Sequence, residues 1–497
     1  MTTPRVLGLL ASVVLIVAPR AAFAHAHLVK SVPSAGARIT TAPHMIQLWF
    51  SEAPEAALTT VTLTAADGRI IHLGKVTAVP GTSVSVMATV DDALAPGNYT
   101  LTWRTVAADD GHPSNGSFSF TIKAVGGVTG TAAAVTAPPE GATTAIPARP
   151  NVEPTAASGM DVEAPAYVIV RWLSFVGLVL LVGVVAFRLL VLPRVGASPA
   201  VALAKAGTHE VLAATMIPRL ATLGLVAGLA VVIAAIGRLL AEQSVMAASM
   251  SMDVTDIVRQ TAWGGAWLLQ VGAAIIACVG FALARRRLTI GWTVATVAAL
   301  VLAVTPALSG HAAGMPHFRT LAITTDSIHV IAAGAWLGSL CALVFVGLPT
   351  AIRTQSRNTS TDHSTALVAD MTNAFSPVAL TFAAVVVLTG LISAWLRLGS
   401  VSALWRTSYG IVLLVKLALV GCVFAAGAFN WLRMRAALTR HALAHATVHA
   451  ASDDKEPLSM SSGTHVRFQR SGTFELVFGA LVIVVTAVLV AMPTPVH

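Results

Sequence analysis

Histidines set beside carboxylates and methionines supply the clearest chemistry in this sequence, and the first of them sits at an expected new chain end. Arg5 precedes an apolar run at 6–18, and Ala22-Phe23-Ala24 has the small-x-small pattern of a signal-peptidase site, so residues 1–24 read as a signal peptide. The run is shorter than the ~20 residues that an anchor helix needs. Cleavage after Ala24 makes His25 the first residue, and its α-amine and imidazole together form a two-nitrogen chelate suited to Cu(II) in a tetragonal site. Further ligands are offered by Asp109-Asp110-Gly111-His112-Pro113. Asp110 and His112 are two apart, so an extended segment points both to one side, while Gly111 permits a close turn and Pro113 stiffens the exit. A competing geometry uses His27, third in the mature chain, with the terminal amine and two backbone nitrogens, and leaves Asp110 and His112 as spectators. Glu52 reads either as a group that orients the site from behind or as a surface carboxylate.

A second set lies between two long apolar runs, in Ser309-Gly310-His311-Ala312-Ala313-Gly314-Met315-Pro316-His317 followed by Asp326 and His329. Asp326, His329 and Trp336 are spaced to share one helix face. Ionisable groups at membrane depth are costly and mark a pathway or a partner. His311, Met315, His317, Asp326 and His329 therefore form a candidate copper entrance, with the thioether favouring Cu(I). The alternative is an Asp326–His329 ion pair that fixes helix packing. Weaker candidates are Met246, Met250 and Met252, expected in a loop, where they relay Cu(I) or make flexible apolar contacts. Lys416, two turns into an apolar run, pairs with a carboxylate or snorkels outward. His441, His445 and His449 recur every four residues in a segment that reads as a metal acceptor or a solvated loop.

The elements that must position these groups follow from composition and pattern. Of 497 residues, 56% are hydrophobic and only 11% charged, with a mean hydropathy of +0.78. A water-soluble globule carries about 25% charged residues, so a wholly soluble protein is excluded. Residues 25–124 alternate in short segments such as Ile46-Gln47-Leu48-Trp49-Phe50 and Tyr99-Thr100-Leu101-Thr102-Trp103, with turn signals at Asp67-Gly68, Pro80-Gly81 and Pro96-Gly97. About seven strands in ~100 residues imply an all-β, Greek-key-like sandwich. Residues 125–164 are rich in Ala, Thr and Pro and read as a flexible linker. Eight apolar runs follow, near 166–192, 213–237, 262–284, 288–308, 326–348, 375–396, 408–432 and 473–492, each close to the ~20 residues that cross a bilayer. The fold class is thus multidomain, a β-sandwich ahead of an α-helical eight-span membrane domain at 165–492.

Orientation follows from charge. If the sandwich lies outside, fifteen Lys and Arg fall on the cytoplasmic side of the membrane part and six on the outer side. The net charge of +9 is therefore topological, and the sandwich, with six basic and seven acidic residues, offers no nucleic-acid surface. Cys278, Cys341 and Cys422 all lie in apolar runs, leaving the polar segments without thiols for a disulfide framework or a Cys-based zinc site. The expected setting is the inner (cytoplasmic) membrane, multi-pass, with the amino-terminal domain and the carboxyl terminus on the periplasmic side.

His25-Ala26-His27-Leu28-Val29-Lys30-Ser31, Leu48-Trp49-Phe50-Ser51-Glu52 and Asp110-Gly111-His112-Pro113 through Gly116 and Phe118 resemble, in order and spacing, the CopC family of periplasmic copper-binding sandwiches. The resemblance implies Cu(II) ligation by His25, Asp110 and His112. The stretch matching a Met-rich Cu(I) site in some members, 64–75, contains no methionine, which implies a Cu(II)-only sandwich. Ser309-Gly310-His311, Asp326-Ser327-Ile328-His329, Ala335-Trp336-Leu337-Gly338, Phe375-Ser376-Pro377, Thr389-Gly390, Tyr409-Gly410 with Lys416, and Asn430 with Arg433 resemble the CopD family of copper-associated membrane proteins. The whole chain resembles a CopC–CopD fusion of the YcnJ type.

The expected function is copper capture outside the cytoplasm and import, with Cu(II) held by the sandwich and passed to the membrane vestibule, where Cu(I) is accommodated. Copper ions, the lipid bilayer, periplasmic copper donors and cytoplasmic copper acceptors are the expected partners. The alternatives are a copper-dependent redox enzyme, or a periplasmic copper buffer or tolerance protein without transport; a non-enzymatic role is expected. Neither a Gly-rich Lys-Ser/Thr loop nor an Asp-Lys-Thr-Gly segment is present, so ATP hydrolysis by this chain is not the expected driving force.

Overall fold

Alternation of apolar and polar residues builds the amino-terminal domain. In the strand Met45–Phe50, Ile46, Leu48 and Phe50 point inward and are buried, while Met45, Gln47 and Trp49 face outward. The computed structural model describes residues 28–108, 113–124, 165–195, 206–250, 253–315, 318–355, 362–449, 463–492 and 494–495. Nine strands are present among them: β1 (Leu28–Val32), β2 (Arg38–Ile39), β3 (Met45–Phe50), β4 (Thr60–Ala65), β5 (Ile70–Ile71), β6 (Thr77–Ala78), β7 (Ser85–Thr89), β8 (Gly97–Val106) and β9 (Pro113–Ile122). They form two sheets, ordered β1-β3-β7-β6 and β2-β9-β8-β4-β5, antiparallel except where β2 meets β9. The sequence pattern implies about seven strands; β2, β5 and β6 are two-residue pieces too short to alternate. Between the sheets Phe50 meets Trp103 edge to face at 5.0 Å. Gly116 lies opposite Trp103 on β9, where a Cβ would come within 2.8 Å of the indole, so only glycine fits.

Thirteen helices follow among the described residues: α1 (Pro165–Ala186), α2 (Ala206–Met250), α3 (Val254–Gln260), α4 (Ala262–Arg285), α5 (Ile290–Leu308), α6 (His311–Gly314), α7 (Arg319–Ala333), α8 (Ser339–Ala342), α9 (Leu348–Gln355), α10 (Asp362–Leu398), α11 (Ala403–Arg406), α12 (Ser408–His449) and α13 (Gly463–Leu489). Eight helical stretches are long and apolar enough to cross a membrane, and each coincides with one of the apolar runs. Leu388, Leu391 and Trp395 of α10 face outward, as hydrocarbon solvent requires.

Two particulars differ from the sequence reading. The fifth span starts at Arg319 instead of opening at Asp326, which puts Asp326 about 10 Å along the helix at 1.5 Å per residue. Helix α2 continues to Met250, so Met246 and Met250 are helical residues, four apart, and not parts of a loop.

The span containing α7 is one rod in which π-helical turns at Gly334–Gly338 and Leu343–Gly347 flank α8. At the first of them Gly338 and Gly183 of α1 touch through their backbones, and a Cβ on either would overlap the other helix.

Candidate metal sites

Backbone pairing gathers three distant stretches at one end of the sandwich. Leu28 pairs with Phe50, so the first described residue lies beside the strand that leads to Glu52. Ala108 N–H then donates to Ala53 O at 2.8 Å, and Glu55 N–H to Val106 O at 2.7 Å. Val106 in turn pairs with Pro113, closing the ten-residue β8–β9 ladder. Leu28, Glu52 and both flanks of the 109–112 connection therefore converge. Glu52 is 5% exposed, so it is not the surface carboxylate of the alternative reading. His25, His27, Asp110 and His112 lie outside the described residues.

In the helical domain the polar residues are tied across helices. Asp326 forms an ion pair with Arg397 of α10 and accepts from Ser393 Oγ at 2.9 Å. His329, one turn on, has Nδ1 2.9 Å from Thr389 Oγ1. That hydroxyl donates to Val385 O at 2.7 Å, which leaves its oxygen to accept from His329 Nδ1. Thr389, Ser393 and Arg397 recur at i, i+4 and i+8 and form one stripe on α10, meeting Asp326 and His329 at i and i+3 on α7. Arg397 also hydrogen-bonds Tyr409, and Lys416 of α12, half-buried, lies within electrostatic reach of His329, Asp326 and Arg397. Asp326 thus pairs with Arg397 and not with His329. Trp336 stacks on Phe424 of α12 at 4.9 Å and leaves the Asp326 stripe.

The outer loop is held separately. His311 is buried, with Nε2 3.1 Å from Met492 O beyond α13. Met315 packs among Ala307, Ala312, Ala322 and Leu396. His317 and Met252 lie outside the described residues. Among the described residues no group of three His, Cys, Asp or Glu side chains is arranged to hold a metal. The histidines at 441, 445 and 449 fall on the helical backbone of α12.

A further polar network escapes sequence reasoning. Arg238 of α2 donates to Gln270 Oε1 of α4 at 3.0 Å and reaches Ser309 Oγ at 3.5 Å, and Gln270 Nε2 donates to Ser174 Oγ of α1 at 3.2 Å. Its one sequence signal is Gln270, the only amide or charge between Thr261 and Arg285.

A family model described as the CopC domain matches residues 28–123, one described as the copper resistance protein D-like N-terminal domain matches 160–318, and one described as copper resistance protein D matches 369–489. Copper transport protein CutJ of Bacillus subtilis (strain 168) is 26% identical over 426 residues, 85% of this chain and 70% of that protein. Copper resistance protein C of Xanthomonas campestris pv. juglandis is 38% identical over 111 residues, 21% of this chain and 86% of that protein. Copper resistance protein D of Pseudomonas syringae pv. tomato is 27% identical over 176 residues, 35% of this chain and 54% of that protein.

Proposed function

We propose, for a chain that belongs to the CopC–CopD copper resistance family, that the sandwich captures copper outside the cytoplasm and hands it to the helical domain for passage inward. The chain joins a CopC domain to a CopD membrane domain with eight candidate spans. The observation that carries the reading is the convergence of Leu28, Glu52 and both flanks of the 109–112 connection at one end of the sandwich. His25 lies three residues before Leu28, and Asp110 and His112 lie between Ala108 and Pro113, so the convergence of the described flanks supports a site shared by these segments. Two imidazoles, an amine and a carboxylate suit Cu(II), and buried Glu52 is the group to orient them. His27 is the ligand of the competing amino-terminal geometry. Because these ligands must be deprotonated, capture weakens as acid protonates them.

Copper then enters the helical domain by way of His311, Met315 and His317 and reaches the Asp326–His329 cluster. The excess of Lys and Arg on the far side of the membrane part supports an outward-facing sandwich. Copper donors outside and acceptors inside complete the route. A second reading, copper storage without transport, is favoured by one observation: Asp326 is taken by Arg397, and Lys416 stands beside it, so two basic groups oppose one carboxylate.

Radioactive copper accumulation separates the two. Cells carrying the intact chain should accumulate more copper than cells carrying a His112→Ala variant or a His311→Ala/His329→Ala variant at matched expression. Equal accumulation in all three would overturn import and leave the storage reading.

A further inference from the structure

Leu58, in the turn Ala56–Leu58 after β3, and Val106, at the end of β8, share one buried cluster with Ile257 of α3 and Trp263 of α4. The sandwich therefore meets the helical domain at the corner between α3 and α4. That corner is stiff for local reasons. The Asp253 carboxylate caps α3 by accepting from Asp256 N–H at 2.9 Å. Thr261, the N-cap of α4, donates through its hydroxyl to Ile257 O at 2.6 Å and accepts from Gly264 N–H at 2.8 Å. Gly264 is required by packing, since a Cβ would come within 2.5 Å of the carbonyl oxygens of Ile257 and Val258.

Thr261 answers only one of the open N–H groups that begin a helix. Another, on Ala262, is answered from the other domain, by the carboxylate of Glu55. The backbone of Glu55 is fixed on both sides, since its N–H bonds Val106 O and its C=O accepts from Thr59 Oγ1 at 2.9 Å, with Thr59 tied to Thr105 at 2.7 Å. A carboxylate at the amino terminus of a 24-residue helix also meets the positive end of its dipole. Burial raises the Glu55 carboxyl above its ordinary value of 4.5, and the Ala262 N–H opposes that rise.

Beneath this contact, the Arg238 guanidinium lies 5.7 Å from the Trp263 ring centre. Arg238 leads to Ser309, which opens the Ser309-Gly310-His311 motif. Trp267 Nε1–H donates to Ala235 O at 2.8 Å and binds α4 to α2 at the same level.

We infer that the α3–α4 corner is a docking platform for this chain's own sandwich, latched by Glu55 on the amino terminus of α4, and that the latch delivers the Val106 end of β8 to the Arg238–Ser309–His311 end of the helical domain. Delivery rests on the copper reading above; docking stands without it.

The test uses the full chain in membrane vesicles, metal-free, with Cys278, Cys341 and Cys422 replaced by Ser and a protease site placed in the 125–164 linker. Cysteines at Leu58 and Ile257 are treated with a short bis-maleimide, and a pair at Ile70 and Ile257 serves as the reference. Docking predicts that Leu58 and Ile257 cross-link at least tenfold faster than the reference pair and hold the cleaved halves in one band. Glu55→Lys, which sets a cation against the helix dipole, should lower that rate at least tenfold, whereas Glu55→Gln, whose amide oxygen still accepts from Ala262, should retain it. Equal rates for the two pairs would overturn docking, and a Glu55→Lys rate equal to that of Glu55 would overturn the latch. Copper accumulation by the same Glu55→Lys chain, at unchanged Cu(II) affinity, tests delivery: loss supports it, and retention with docking lost overturns it. If the intact chain accumulates no copper, the copper reading and delivery fall together, and the cross-linking result decides docking alone.

Discussion

The two ends of the proposed route treat polar side chains in opposite ways. The sandwich joins the stretches that flank its proposed ligands by backbone bonds, at Leu28–Phe50, Ala108–Ala53 and Val106–Pro113. The helical domain instead binds its candidate residues to other side chains or a carbonyl: Asp326 to Arg397 and Ser393, His329 to Thr389, His311 to Met492. The difference reflects solvent. Water satisfies a waiting ligand at little cost, whereas hydrocarbon leaves an unpaired polar group several kcal/mol uphill. On the proposed route, copper must therefore compete with protein partners in the second region.

The comparison breaks hardest at Arg397. Its removal by Arg397→Ala strands Asp326 and should cost about 3–5 kcal/mol, read as a fall in thermal stability of the purified protein; Asp326→Asn in the same chain should recover most of it. If the single variant is as stable as the parent, the pairing is not what holds this cluster. Next, His112→Ala should weaken Cu(II) binding about 100-fold or more, beyond the ~10-fold expected for Glu52→Gln, because a ligand is lost and not its support. Titration with a competing chelator measures both, and unchanged affinity would assign the metal to His25 and His27. Thr389→Val should cost only about 0.6–1.7 kcal/mol, the range for hydrogen bonds between spans, while altering the hold on His329.

The smallest effect concerns pH. Glu55 has a raised pKa when docked, so the docked state binds its proton more tightly. Below the ordinary value of 4.5 the protonated group, whose carbonyl oxygen still accepts from Ala262, is spared the cost of burying a charge, and that extra gain is lost as pH rises through the docked value. Spin-label pairs across the interface should report a larger docked fraction at pH 5 than at pH 8, and Glu55→Gln should flatten that change.

The sequence read clearly wherever one periodicity dominated. Strand alternation located β3, β4, β8 and β9, and each apolar run became a span. The start of α7 was hidden because Arg319, Thr320, Thr324, Thr325 and Asp326 lower the hydropathy of its first two turns. The partner of Asp326 was hidden for another reason: Arg397 is 71 residues away, and spacing along α7 favoured His329. The stripe Thr389, Ser393, Arg397 was visible as a period of four but carried no sign of which helix it would face. Glu55 gave no signal, since capping a helix two hundred residues later leaves no local pattern.

Gly183 and Gly338 add a consequence of a different kind. Where two rods meet with no side chain between them, backbone rests on backbone and neither can lean further toward the other. Asp326 and His329 ride on one of those rods, twelve and nine residues from the contact. Two residues with no side-chain chemistry therefore act as the rail on which the cluster's polar chemistry is aligned, and a single methyl group at either would misalign it from a distance.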